Sequence, residues 1–312
     1  MYEPTQREVD RNIEQSMAMF KRAQVGEVPA LDPRKPKRVL LALDGSAQDE
    51  LGVGIVAKLQ ARLSCEVAVV DGRRGDPAFE TDSTTDWSQQ LNAEKVAVDD
   101  AEVQDMILAA IDSWQADLLV VPCPFGRPFE SIGADSTGTV IDVLRARSPV
   151  PVIATRAPFD PQGDVFSRLR MVLFSENEAA LLTARWAVGL LHPQGELELV
   201  LIVEEEFYEN VREAMHSIKP DVEISIESLE NALTQTHARL HVALHRAAKA
   251  QGFRYTLNVR REGETQPLEV QNPAKTPPLL VLAHERGDNA SQGHISNHIR
   301  RSPNPVLIVH SS

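Results

Sequence analysis

The stretch Arg38-Val39-Leu40-Leu41-Ala42-Leu43-Asp44-Gly45-Ser46 decides the fold. From Val39 to Leu43 it is continuously apolar, as a strand covered on both faces must be, and it stops at Asp-Gly-Ser, residue types that form turns and cap helices. Gln48 to Leu63 then carries apolar residues at helical spacing, which completes a strand-turn-helix unit. In an open parallel sheet the crevice beyond the carboxyl ends of the strands is where ligands sit. Asp44, Gly45 and Ser46 are therefore placed to meet one.

Outward from this unit, the pattern predicts strands near 38–43, 65–70, 94–98, 117–121 and 151–155, with helices near 47–63, 101–115 and 136–147. Between them, Asp71 to Trp87 reads as a long polar loop. Alternating strands and helices imply right-handed crossovers and a parallel sheet covered on both faces: an α/β class, open five-stranded sheet. In the usual five-strand order the first and fourth strands are neighbours at the switch point. The residues after Leu43 and after Val121 should then meet across one crevice.

The second half repeats the first. Arg38 to Ala42 matches Arg170 to Phe174, and the same offset, 170 − 38 = 132, carries Val67-Ala68-Val69-Val70 onto Leu199-Val200-Leu201-Ile202. Near the ends, Arg147-Ser148-Pro149-Val150-Pro151-Val152-Ile153 matches Arg301-Ser302-Pro303-Asn304-Pro305-Val306-Leu307, and Leu118-Leu119-Val120 matches Leu279-Leu280-Val281. The expected organisation is an N-terminal segment, 1–36, followed by a first α/β domain, 37–158, and a second, degenerate copy, 159–312. The second copy inserts an acidic helical run, Glu204 to Ile218, before a long helix from about Glu227 to Gln251. It also places Pro267, Pro273, Pro277 and Pro278 where its third helix belongs.

Ahead of both copies, Thr5-Gln6-Arg7-Glu8 is a capping-box pattern, and Val9, Ile13, Met17 and Phe20 continue it as one amphipathic helix. Its apolar stripe either packs back on its own domain or, through residues 5–22, grips a second copy or a protein partner. Val28 to Lys37, with Pro29, Pro33 and Pro36, reads as a stiff linker.

Composition excludes several function classes. A chain of 312 residues with 42% hydrophobic content can fill two cores, whereas a formal net charge of −13 disfavours nucleic acid and anionic lipid as partners. No apolar run is long enough to cross a bilayer, and the N-terminus has no signal pattern, so a cytoplasmic protein is expected. Cys65 and Cys123 lack metal-ligand or CxxC spacing and are expected to fill core.

These features together resemble the universal stress protein family in tandem form, over nearly all of 37–312. The residues that carry the resemblance are the first strand ending in Asp44-Gly45-Ser46, the strand Asp117-Leu118-Leu119-Val120-Val121, and Gly138-Thr139 followed by a helix and Ser148-Pro149-Val150-Pro151-Val152-Ile153. The resemblance implies a non-enzymatic, dimerising α/β nucleotide-binding fold, with ATP or AMP as the ligand of the first domain. Asp44 would then meet the adenine amino group or a ribose hydroxyl. Family members that bind ATP rest its phosphates on a loop written G-x2-G-x9-G-S/T, where backbone N–H groups face the anion. Here Gly138 and Thr139 fall on the closing pair, but the fixed spacing puts Phe125 and Pro128 where the earlier glycines belong. Gly126 fits only with an inserted residue, and Arg127 is positioned to compensate with its fork of donors. In the second copy Glu176, Gln292-Gly293 and His284-Glu285-Arg286-Gly287-Asp288 replace the pattern, so that copy is expected to hold no nucleotide.

Other motifs have simpler readings. Asp44 and Ser46 would also serve as caps of the next helix. Gly52-Val53-Gly54 mimics a dinucleotide fingerprint with Asp71 at 71 − 52 = 19 residues, but it lies inside the helix rather than after the strand, so close helix packing at Gly52 is the better account. His237, His241 and His245 share one helix edge, a geometry that can bind a transition metal but more often faces solvent or an interface, and no metal is expected. No nucleophile elbow, Walker A loop or HExxH motif is present, which leaves enzyme activity unsupported. The competing class is a nucleotide-free scaffold that recruits a partner through the N-terminal helix and the Glu204 to Ile218 insertion.

Overall fold

In the computed structural model the chain describes residues 30–73, 86–98, 102–127, 132, 136–156, 163–173, 178–203, 238–261, 279–284, 295–300, 302 and 304–311. The N-terminal helix 5–22, the insertion 204–218 and the proline-rich 263–278 lie outside them.

The first half runs β1 (Arg38–Leu43), α1 (Asp49–Leu63), β2 (Glu66–Asp71), α2 (Trp87–Leu91), β3 (Glu94–Lys95), α3 (Val103–Trp114), β4 (Leu118–Pro122), α4 (Thr139–Arg147) and β5 (Val152–Thr155). The second runs β6 (Arg168–Leu173), α5 (Glu178–Leu190), β7 (Glu196–Val203), α6 (Ala238–Gln251), β8 (Arg254–Arg261), β9 (Leu279–His284), helical residues 295–300 and β10 (Val306–His310). All ten strands form one sheet in the order β3-β2-β1-β4-β5-β10-β9-β6-β7-β8. Each half is parallel throughout, and the halves join where β5 and β10 pair antiparallel, Ile153 opposite Leu307. The two expected sheets are thus fused into one.

Continuous apolar strands can serve two faces because successive side chains alternate. Val39, Leu41 and Leu43 point into a core with Ile55, Phe166, Trp186, Leu240 and Leu244, beneath α1, α5 and α6. Leu40 and Ala42 point the other way, to Ile107, Ile111, Leu144, Ile295 and Ile299, beneath α3, α4 and 295–300. Gly52 is where α1 comes closest to the sheet: a Cβ there would stand 2.9 Å from Leu41 Cδ1, which accounts for the small residue in packing terms.

The 132-residue offset survives in the ladders. Arg38 faces Glu66 between β1 and β2, and Arg170 faces Glu198 between β6 and β7, an ion pair in both places. One expectation needs correction: the strand expected at 94–98 is only Glu94–Lys95, although Val96 still donates its N–H to Val69 O at 2.9 Å. Val96 and Val98 turn into the core instead of extending a sheet edge.

The proline-bearing linker is not a free spacer. Arg34 N–H donates to Arg185 O at 2.9 Å, Arg185 Nε donates to Asp32 O at 3.0 Å, and Leu31 packs on the core, so residues 31–34 lie along α5 of the other half. Gly189 makes room for them, since a Cβ there would fall 1.7 Å from Arg34 O.

Candidate functional site

β1 pairs with both β2 and β4, so the switch point lies between β1 and β4, and the tips after Leu43 and Pro122 meet as the sequence implies. Asp44 sits at the β1 tip, 5% exposed, and accepts two backbone N–H bonds: from Ser46 to Oδ1 at 2.8 Å and from Gly126 to Oδ2 at 2.7 Å. The second bond crosses the crevice and ties the loop after β4 to the loop after β1. Gly45 and Gly126, with φ of 82° and 63°, adopt the left-handed conformation these tight loops require.

Sequence reasoning missed Asp49. This residue opens α1, is 3% exposed, and reaches back to accept the N–H groups of Asp44 and Gly45 at 3.0 and 2.9 Å. Burial, and then the nearby charge of Asp44, push its carboxyl up to about 7, while the two N–H bonds pull against that rise. Asp44 and Ser46 therefore do not cap α1 in the simple way expected. Ser46 Oγ accepts only the Gln48 N–H, at 3.2 Å, and the first-turn carboxylate of Asp49 organises the turn. An acidic residue five positions after the strand-end aspartate, in a helix's first turn, was the available signal.

Phe125 is the second omission. Its buried ring packs over the end of β2, where a Cβ on Gly72 would approach Phe125 Cζ to 2.6 Å, and Gly72 donates to Leu43 O at 2.8 Å. An aromatic ring thus occupies one flank of the crevice. Arg127 follows, exposed to solvent, and Pro128 lies outside the described residues.

Gly138 and Thr139 begin α4. Gly138, at φ 95°, donates its N–H to Ser136 Oγ at 2.9 Å, and Thr139 is exposed. Asp142 takes the Ser136 and Thr137 hydroxyls at 2.6 and 2.7 Å. A Cβ on Gly138 would come 3.5 Å from Pro124 Cβ, so this turn abuts the loop after β4. Asp44, Gly45, Ser46, Gly126 and Arg127, on loops, and Gly138 and Thr139, at the start of α4, accordingly lie at the same, carboxyl, end of the first-half strands. Cys123 beneath them is buried, and burial pushes its thiol up to about 12, consistent with core filling.

In the second half, Glu176, Glu285 to Asp288 and Gln292-Gly293 lie outside the described residues. Only His284 of that set can be described. It is buried at the end of β9, with its ring edge-on to His310 at 5.5 Å. On α6, His241 lies 3.1 Å from the Tyr255 hydroxyl through Nδ1 and stacks on His245, and His237 lies outside the described residues. Among the described residues no cluster of metal-ligating side chains occurs, and no helix is long and apolar enough to cross a membrane.

Several solved structures share this fold. A universal stress protein from Archaeoglobus fulgidus DSM 4304 superposes with a TM-score of 0.56 at 13% identity, covering 90% of this chain and 98% of that one. For a putative universal stress protein from Pseudomonas aeruginosa UCBPP-PA14 the TM-score is 0.53 at 11% identity, covering 88% and 93%. A functionally unknown protein from Pseudomonas aeruginosa PAO1 follows at 0.51 and 12%, covering 88% and 92%. No protein-family model matches the sequence, and no curated protein does. The chain has a universal-stress-protein-like fold over nearly its whole length.

Proposed function

We propose that the protein is a non-enzymatic regulatory module of the universal stress type, a tandem of domains 37–158 and 159–312, whose first-half crevice takes the adenosine end of ATP or AMP. The observation that supports this most is the meeting of Asp44 and Gly126 across the switch point at 2.7 Å. A buried carboxylate there selects ligands that present N–H or O–H donors, as an adenine amino group and ribose hydroxyls do. Ser46, Arg127, Gly138 and Thr139, at the same end of the strands, would meet the phosphates.

Binding has to exchange contacts the protein makes with itself, so affinity is expected to be modest, on the order of 0.1 mM. Isothermal titration of the full chain with ATP and AMP tests this, together with mass spectrometry of gently purified protein for retained nucleotide. Asp44→Ala is expected to weaken binding by about tenfold or more.

A second reading has its own support. The N–H groups of Gly45, Ser46, Gly126 and Gly138 all have acceptors within the protein, and Phe125 fills one flank. A nucleotide-free scaffold that recruits a protein partner, or a second copy through residues 5–22, fits such a closed mouth. Absence of retained nucleotide and of heat at millimolar ATP would favour it.

A further inference from the structure

The helical residues 295–300 of the second half are tied across the seam to the first. Arg145 of α4 donates through Nη1 to the Ser296 hydroxyl, and Ile295 and Ile299 share a core with Ile141 and Leu144. Arg156, just after β5, donates through Nη1 to the carbonyls of Ile299, at 2.7 Å, and of Arg300. A guanidinium suits the carboxyl end of a helix, where the last carbonyls have no intrahelical partner. These contacts fix the backbone at Arg300, and its side chain returns to the first half: Nη1 donates to the carbonyl oxygen of Ser136.

Ser136 opens the turn that leads to Gly138 and Thr139. Its hydroxyl accepts the Gly138 N–H at 2.9 Å and donates to Asp142 at 2.6 Å, and the Thr137 hydroxyl donates to the same carboxylate at 2.7 Å. The first half thus secures both hydroxyls, while the Ser136 carbonyl is held from the second half by the Arg300 guanidinium, in a charge-assisted bond. Because a peptide unit is planar, fixing that oxygen also fixes the direction of the Thr137 N–H, which donates to Asp142 Oδ1 at 3.4 Å. Gly138, at φ 95°, is conformationally permissive, so a restraint one residue earlier bears on where the turn ends. A Cβ on Gly138 would stand 3.5 Å from Pro124 Cβ, and Pro124 leads into the Gly126 that bonds Asp44. Aligning Arg147-Ser148-Pro149 with Arg301-Ser302-Pro303 gives an offset of 301 − 147 = 154, which sets Ala146 against Arg300 and Asp142 against Ser296. The first half therefore has alanine where the second has the reaching arginine.

We propose, resting on the nucleotide reading of the first-half crevice, that Arg300 is a positioning residue for that crevice although it belongs to the second half: by holding the Ser136 carbonyl it sets the turn that presents Gly138 and Thr139, and so favours ATP over adenosine. Arg300 is engaged with the protein itself. Its part is to hold the turn, not to bind the ligand. Supports of this kind keep binding groups within the narrow geometry that recognition needs. The second half thereby serves the first.

The test compares ATP with adenosine by calorimetric titration of the full chain in wild type, Arg300→Gln and Arg300→Lys. In Arg300→Gln, ATP affinity is expected to fall by about tenfold and adenosine affinity to stay within about twofold. Arg300→Lys keeps a charged donor for the Ser136 carbonyl and is expected to recover ATP affinity to within about threefold of wild type. Amide hydrogen exchange without ligand reads the turn itself: Arg300→Gln should speed exchange at Gly138 by about tenfold and leave Leu119 and Leu280 in the sheet as they were, whereas general destabilisation would speed all three. An ATP-to-adenosine preference equal in wild type and Arg300→Gln, or unchanged exchange at Gly138, would overturn the proposal and leave the nucleotide reading standing. If neither ligand binds the wild type, the nucleotide reading fails and takes the phosphate role of Arg300 with it, while exchange at Gly138 still decides whether Arg300 holds the turn.

Discussion

The same ion pair occurs twice in this molecule and sits in two different environments. Arg38 and Glu66 join β1 to β2 with side chains 35% and 73% exposed, while Arg170 and Glu198, 132 residues on, join β6 to β7 at 12% and 14%, with Asn258 of β8 donating to Glu198 at 2.7 Å. The difference follows from the neighbours. In the first half β3 is two residues long and leaves the β2 edge open, whereas the eight-residue β8 covers β7 along its full length. One ladder register thus gives a solvated pair in one half and an enclosed one in the other. Among the described residues the halves differ at their sheet edges while the ladder register is kept.

The largest expected effect probes that contrast. Glu198→Ala leaves a guanidinium enclosed without its carboxylate and should destabilise the protein by about 3–5 kcal/mol, whereas Glu66→Ala should cost about 1 kcal/mol or less. Urea midpoints of the two variants measure it, and similar shifts would show that the enclosure by β8 has no energetic consequence.

Next comes the mouth. Asp49 in the first half corresponds at the same offset to Leu181, so among the described residues the buried pair Asp44 and Asp49 belongs to the first half. Because the folded pKa of Asp49 is raised from 3.8 to about 7, its contribution favours the fold below the unfolded value and is lost as pH rises through the folded one. Stability should therefore fall between about pH 4 and pH 7 by at most about 4 kcal/mol from this group. Asp49→Asn should flatten that slope. Denaturation at a series of pH values reads it, and an unchanged slope in the variant would remove Asp49 as the cause.

Smaller again is the strap. Gly189 corresponds to Ala57, which is exposed and carries nothing across it, whereas residues 31–34 lie over Gly189. Gly189→Ala should cost about 1–3 kcal/mol and speed proteolysis near Arg34. Ala57→Gly, on a bare helix surface, should cost about 1 kcal/mol through helix propensity alone.

How far the sequence is legible follows from the range of each interaction. Apolar runs such as Val39 to Leu43 and Leu279 to Val281 are local signals, and a shared offset relates the strands of the two halves of the sheet. The β1–β4 switch point follows from the alternation of elements, so Asp44 and Gly126 could be expected at one crevice before any coordinates. What escaped is non-local. That Arg34 lies on α5 depends on a contact about 150 residues away in sequence, between groups with no shared pattern. Asp49 looked like any first-turn acid, because a helix dipole and a back-reaching carboxylate ask for the same residue type. Phe125 was read as a lost glycine, not as a side chain with a place against Gly72. The β5–β10 seam depends on two edge strands finding each other, which hydrophobic pattern alone does not specify.

The central claim is that ligand enters the first-half mouth by exchanging the Gly126–Asp44 contact. Following backbone amide resonances of the full chain during ATP titration tests it most directly. The account predicts saturable shifts at Gly126, Gly45 and Ser46, with the β6 and β9 amides at Leu173 and His284 unmoved. Saturable ATP binding that leaves the Gly126 amide where it was, or that moves the β6 and β9 ends instead, would contradict it.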